Sequence, residues 1–221
     1  MREAAALAPL TEILPASYGD WPAAAGFALA WAACAKGGFA LWAAPDISLR
    51  DLGAPYAEGL MQFGLDLERT ILVQTRTQID ALWAAEETLA YSGALVLCTI
   101  MPGRKLLSLA ATRRLLLAAE KNGSRCVLLR LDEAGASAAW TRWRIAAAPS
   151  YGEARELGPP RFSVRLERNR LGPPGLSWSL TWDGHQYAFT DIEEKTESAM
   201  DGSAPAAPSD RPVETAWRSA V

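Results

Sequence analysis

Residues that commonly carry chemistry are scarce in this sequence. It has one histidine and three cysteines in 221 residues, with no Cys-x-x-Cys pair. Cys34, Cys98 and Cys126 each sit in an apolar run, which argues against a zinc framework and for a reducing compartment. Charge of one sign is also lacking. The formal net charge is −3, so no global field calls for nucleic acid or a membrane surface. The longest apolar run, residues 23–35, is shorter than the ~20 residues a membrane span needs. Arg2 is followed by Glu3, and the apolar stretch from Ala4 is too short for the core of a secretory signal. These absences leave a cytoplasmic chain with one domain and a tail as the expectation.

The chemistry of nucleotides is missing too. Before the apolar segment 22–35, the loop carries Gly19 and Gly26, but neither is followed by the Lys-Ser/Thr of a phosphate loop. Lys36 is a helix-length away. Asp20 would place an anion where a phosphate should sit, and reads better as a cap at a helix N-terminus. The strand-like run 94–100 ends in Thr99-Ile100 with no carboxylate for Mg²⁺, and Asp46 alone would leave a metal short of ligands. His185 follows Asp183-Gly184 in a turn, where a histidine is usually solvated. Glu86 and Glu87 are adjacent on a helix and point apart, so they form no acid/base pair. No Gly-x-Ser-x-Gly elbow occurs.

Pattern is what the sequence does have. Through residue 131 helical and strand patterns alternate. Helices are expected over 22–35 and 56–63, with Pro55 at the first helical position of the second. Another is expected from the Thr77-x-x-Asp80 capping box, with Ile79, Leu82, Trp83, Glu86, Leu89 and Ala90 at helical spacing. In a further helix Leu106, Leu109, Leu116 and Ala119 form one apolar side, and Asn122-Gly123 closes it. Strands fall at 39–42, 70–74, 94–100 and 126–131. Such alternation implies βαβ units around a parallel sheet. Beyond it, 140–145, 161–167 and 177–182 alternate with period two and have no helices between them, which implies an antiparallel extension. Asp183-Gly184 marks a hairpin before Tyr187 and Phe189. From Asp191 the chain has seven acids and three bases, net −4, and is rich in Ser, Ala and Pro. The expected division is therefore one domain over 1–190 and an acidic, disordered tail over 191–221. The body is left with about one positive charge, and arginine gathers in its last part. Arg142, Arg144, Arg161, Arg165, Arg168 and Arg170, interleaved with Trp140, form a candidate surface for DNA or an acidic partner. The competing reading is a solvated sheet face whose arginine stems cover apolar surface.

The order of residues resembles the RecA core. Leu41-Trp42, Tyr56-Ala57, Gly64-Leu65-Asp66 and the run Trp83 to Leu97 follow that order, as does Arg168-Asn169-Arg170-Leu171-Gly172-Pro173-Pro174-Gly175, and the likeness runs from about Leu10 to Phe189. Within that superfamily, Ala81-Leu82-Trp83-Ala84-Ala85-Glu86-Glu87-Thr88-Leu89, Arg113-Arg114-Leu115-Leu116-Leu117 and Thr141-Arg142-Trp143-Arg144-Ile145 are similar to the ImuA family. The resemblance implies a RecA-like α/β fold with a degenerate nucleotide site, no cofactor and no enzymatic activity. It implies a role as an accessory protein in SOS-induced, error-prone translesion synthesis. The implied partners are an ImuB-like Y-family polymerase homologue, an alternative replicative-type polymerase reached through it, and RecA. The catalytic set of RecA falls at Pro22-Ala23, Ala44 and Thr99 and does not carry over. Two other readings of the same core are a SulA-like SOS division inhibitor and a RecA-like ATP-dependent DNA-binding protein.

Overall fold

The computed structural model describes residues 8–34, 38–103, 107–131, 135–150 and 158–191. One sheet of nine strands organises them. Strand β1 (Leu10–Pro15) leads through a short 3-10 turn into helix α1 (Trp21–Cys34). Then come β2 (Ala40–Pro45), α2 (Asp46–Leu52), α3 (Ala57–Gln62), β3 (Thr70–Thr75), α4 (Gln78–Thr88), β4 (Leu95–Ile100), α5 (Leu109–Asn122) and β5 (Arg125–Arg130). Four strands close the domain: β6 (Thr141–Ala147), β7 (Arg161–Asn169), β8 (Ser177–Asp183) and β9 (Ala188–Asp191). The sheet order is β3-β2-β4-β5-β1-β6-β7-β8-β9. Every pairing from β3 to β6 is parallel, and those from β6 to β9 are antiparallel. The expected α/β core with an antiparallel extension is therefore present, except that β6 opens the extension as a parallel neighbour of β1.

Helix α1 is apolar all round, and such a helix is stable only when covered on all sides. It lies on one face of the sheet, with Phe27, Ala28 and Trp31 packed into a core that includes Ile13, Trp143, Phe162 and Trp182. Gly26 lets α3 approach, because a Cβ there would sit 2.9 Å from the ring of Phe63. The opposite face is covered by α4 and α5, with Ala81, Ala85, Leu115 and Ala119 against Val96, Cys98 and Leu128. The capping box forms as expected: the Thr77 hydroxyl accepts the Asp80 N–H, and the Asp80 carboxylate accepts the Thr77 N–H. Gly123 closes α5 in the left-handed conformation.

Several local expectations need correction. On α4 the buried stripe is Ala81, Ala85 and Thr88, while Ile79 and Trp83 are 73% and 63% exposed. Both stripes satisfy helical spacing, and the small residues face the sheet because they let the helix come close. Strand β2 runs three residues beyond Trp42, which brings Asp46 directly to its end as the first residue of α2, a helix the pattern did not suggest. Helix α3 starts two residues after Pro55, with Tyr56 at the N-cap. On α5, Leu109 is exposed and Leu115 takes the inward place, while Leu106 lies outside the described residues. Cys34 is exposed at the end of α1, unlike Cys98 and Cys126. The tail over 192–221 lies outside the described residues. Among those described, no helix is long and apolar enough to cross a membrane.

The unexpected core feature is ionic. Glu12, in the middle of β1, and Arg130, at the end of β5, both have fully buried side chains. The Glu12 carboxylate accepts from Arg130 Nη1 at 2.5 Å and from Arg142 Nε on β6 at 2.8 Å. One carboxylate therefore ties three adjacent strands. Removing one partner of such a pair leaves buried charge uncompensated and costs about 3–5 kcal/mol. Urea unfolding of Glu12→Ala is expected to show a loss of that size. A loss below about 1 kcal/mol would show that the arginines relax into solvent.

Candidate functional site

In open α/β sheets the ligand crevice lies beyond the carboxyl ends of the strands, where the strand order reverses. Here that point is between β1 and its remote sequel β2. A cleft of about 230 Å³ opens there, and Pro22, Ala44 and Thr99 all line it. Those are the three positions at which the phosphate-binding lysine, the catalytic glutamate and the metal-binding aspartate were sought. The sheet topology brings them together, and none is ionisable. Its remaining walls come from Trp42 of β2, from α1, α2 and α3, and from the loop that joins the last two, with Trp21, Leu52 and Tyr56 among them, and no charged residue lines the cleft among those described.

The polar groups at its edges are satisfied internally. The Trp42 indole N–H donates to the Thr99 hydroxyl at 3.0 Å, across β2 and β4. The Gln78 side chain donates to the Thr99 carbonyl and accepts the Met101 N–H, so it caps the end of β4. Asp20 is not the N-cap of α1. Its carboxylate accepts from the Ser17 N–H at 3.0 Å and the Ser17 hydroxyl at 2.7 Å, and from the Ala147 N–H of β6 at 2.9 Å. The loop thus turns its donors onto its own anion. Those bonds, that of Ala147 foremost, hold the Asp20 carboxyl below the usual carboxylate range. Polyphosphate brought here would be desolvated against Trp, Pro and Leu without a countercharge, which is unfavourable.

The other ionisable groups are placed as surface or core. His185 sits in the exposed β8–β9 turn, where the Asp183 carboxylate accepts the backbone N–H groups of residues 185 and 186. Glu86 pairs with Arg114 between α4 and α5. Burial pushes the Cys98 thiol up to about 12 and raises Cys126 as well, so neither is a thiolate nucleophile at neutral pH. No group of three or more His, Cys, Asp or Glu that could hold a metal ion occurs among the described residues.

The arginine surface is partly assembled and partly committed. On the sheet face opposite α1, Arg142 stands across from Arg168 and Arg144 across from Arg165. Arg142 is bound to Glu12 and to the Gly135 carbonyl. Arg144 holds Glu167 through two nitrogens and the Pro15 carbonyl through a third. Arg168 donates to the Ser137 carbonyl. Burial lowers its pKa, and neighbouring Arg142 and Arg170 act in the same direction. Arg161 is half-buried at the start of β7, and Trp140 is half-buried against the α4–α5 core. Arg165 and Arg170 are exposed. Arg130, Arg142, Arg144 and Glu167 also line a second cleft of about 460 Å³ beside the β1–α1 loop. Glu12, Arg130 and Gln78 were not singled out from the sequence. A lone acid inside the apolar run 10–15 was the one available signal.

Comparison with known proteins adds the following. No family model matches the chain. It is 35% identical over 158 residues to Protein ImuA of Caulobacter vibrioides strain NA1000 / CB15N, a match that covers 66% of this chain and 61% of that protein. The same figures hold for Protein ImuA of strain ATCC 19089 / CIP 103742 / CB 15. The match thus spans less than two thirds of the length of these relatives. Among solved structures, the RadB recombinase superposes with a TM-score of 0.57 at 19% identity, covering 84% of this chain and 92% of that one. SulA from Pseudomonas aeruginosa superposes with a TM-score of 0.41 at 22% identity, over 56% of this chain.

Two measurements test the reading of the cleft. Millimolar Mg-ATP is expected to leave the melting temperature unchanged, whereas a ligand present at 100 times its Kd would add about 2.7 kcal/mol. An upward shift of several degrees would overturn it. Asp20 has a folded pKa below its unfolded one, so its stabilisation is full above the unfolded value and is lost as pH falls through the folded one. The stability gap between the protein and Asp20→Asn is therefore expected to be constant near neutrality and to close in acid below about pH 4. A gap that persists there would show that the clamp does not depend on charge.

Proposed function

This chain is a homologue of the ImuA proteins with a RecA-like fold, and from that premise we propose that it is a non-catalytic accessory protein in SOS-induced, error-prone translesion DNA synthesis. The observation that carries the reading is the cleft at the strand ends. The positions that would supply lysine, glutamate and aspartate for ATP chemistry hold Pro22, Ala44 and Thr99 instead, and apolar side chains wall the space between them. A RecA-like scaffold with such a crevice has surfaces to offer rather than a reaction. In this reading the chain works through protein contacts in the cytoplasm. Its partners are an ImuB-like polymerase homologue, an alternative replicative-type polymerase through that homologue, and RecA.

The sheet face of β6 and β7 is the proposed contact for an acidic partner surface or for DNA. Its six arginines divide by role. Arg142, Arg144 and Arg168 already bond acids or carbonyls of the domain, and Arg161 is half-buried. Arg165 and Arg170 are left to face solvent and to present mobile charge to a partner. Exposed cations of this kind act through steering and rim contacts, so their loss weakens association and leaves folding intact.

Co-purification with an ImuB-like protein, and separately with RecA, is the direct test. A folded protein that binds neither would refute the proposal. The double variant Arg165→Glu, Arg170→Glu is expected to keep its melting temperature and to bind at least about tenfold more weakly. Unchanged binding to partner and DNA would move the interface off this face.

A further inference from the structure

The sheet ends at β3 and β9, and the two ends differ. Strand β9 has four residues and adjoins the β8–β9 turn. Strand β3 has six, Thr70–Thr75, and pairs with β2 without a break in register. Its outer side therefore presents a regular row of backbone donors and acceptors. Edge strands are usually blunted by lysine, proline, a bulge or a covering element. The run Thr-Ile-Leu-Val-Gln-Thr contains no charged residue, proline or glycine, and no described strand pairs beyond it. Ile71 is 51% exposed and Leu72 44%, on opposite faces as the period of two requires. An edge of this kind is a template for a further strand. We propose that β3 is an interaction surface and that its occupant is β3 of a second copy of this chain, paired antiparallel about a two-fold axis.

The strand's own sequence selects that occupant. In a two-fold antiparallel pair one residue stands opposite its own copy, and that choice fixes every other pair. With Leu72 at the axis, five residues of each strand pair. Leu72 meets the partner's Leu72, Ile71 meets the partner's Val73, and Thr70 meets the partner's Gln74. Apolar side chains then meet on both faces of the sheet. The leucines meet on one, and the branched pair meets on the other, where Val73 already packs against the core that includes Ala81 and Ala85 of α4. Cross-strand pairs of this kind are what stabilise a sheet. Charge agrees with the same register. Glu68, just before the strand, comes opposite the partner's Arg76, just after it, and symmetry makes the pair twice. Both residues are exposed, and neither side chain makes an ion pair among the described residues. Ile71 at the axis would pair only three residues of each strand. Val73 at the axis would again pair five, but Arg76 would face Thr70 and Glu68 would face Gln78. Overlap and charge together therefore single out Leu72. Pairing with β9 of another copy would be heterologous and would leave free edges, whereas the two-fold pair closes.

In the dimer one sheet runs through both domains, and a Glu68–Arg76 pair closes each end of the seam. The proposal does not depend on the accessory role, because it concerns self-association. The test is sedimentation velocity of the full chain over a concentration series. Twice the mass of the chain is expected at micromolar concentration, with dissociation on dilution. Glu68→Arg and Arg76→Glu, each alone, set like charges at both ends of the seam and are expected to raise the dimer dissociation constant at least about tenfold. The double variant Glu68→Arg, Arg76→Glu restores both pairs and is expected to return it to within about threefold of the unmodified value. Leu72→Lys places two ammonium groups at the axis and is expected to leave only monomer. Its melting curve checks that it folds, and the charge variants, all at exposed positions, keep the test decisive if it does not. A single-chain mass at every concentration would overturn the proposal. So would a dimer that Leu72→Lys and the single reversals leave intact, since its interface would lie elsewhere. A double variant as weak as the single ones would overturn the register, and particles larger than a dimer would show open-ended contact in place of the two-fold pair.

Discussion

The buried carboxylate of Glu12 is the constraint on which the rest of this domain rests. It lies at the centre of β1, beside β6, the strand at which the sheet passes from parallel to antiparallel pairing. Arg130 comes to it from β5 and Arg142 from β6. A single acid in a low-dielectric layer is stable only with close countercharge, and its two oxygens receive one guanidinium each. The register of β5, β1 and β6 is specified by that match, because a slip of one residue would turn Glu12 to the other face of the sheet. The cost of the arrangement is two charges out of water. What it gives is one defined junction between two kinds of sheet.

That junction also governs what lies at the strand ends. With β1 held between β5 and β6, its following loop reaches Ala147, and Asp20 closes it by taking the available donors. Gln78 and Thr99 close the end of β4 in the same manner. The crevice that open α/β sheets form at this place remains as a shape, since it follows from topology. Its chemistry has changed, since that follows from side chains. An empty polar site would have demanded water or an ion, whereas here the polar groups bond each other and the apolar groups line the cleft.

Arginine in the last strands illustrates why charge counts in sequence overstate available charge. Alternation on β6 and β7 places Arg142, Arg144 and Arg165 on one face, and the register shift between Arg142 and Trp143 brings Arg168 opposite Arg142 as well. Whether each cation is free is a separate question. Glu12 and Glu167 stand on the same face and neutralise the cations nearest the core, and backbone carbonyls bind others. The residues at the margin, Arg165 and Arg170, keep their exposure. The charged surface is therefore narrower than the run of arginines suggests, and displaced towards the outer strand.

Sequence by itself determined the alternation of helices and strands, the switch to period two after residue 140, the Thr77–Asp80 cap and the Gly123 stop. Each of these depends on neighbours within a few residues, where propensity and spacing act directly. It also determined which residues of β6, β7 and β8 point inward, because a strand has only two faces. Tertiary structure decided the matters that depend on distant partners. Two stripes on α4 satisfy the same spacing, and the close approach of the sheet selected Ala81 and Ala85 over Ile79 and Trp83. Glu12 looked like a stray acid in an apolar strand until residues 118 and 130 positions away were brought beside it. The meeting of Pro22, Ala44 and Thr99 in one cleft has the same origin: the start of α1 and the ends of β2 and β4 converge only when the chain crosses over β5 and β4 to lay down β2.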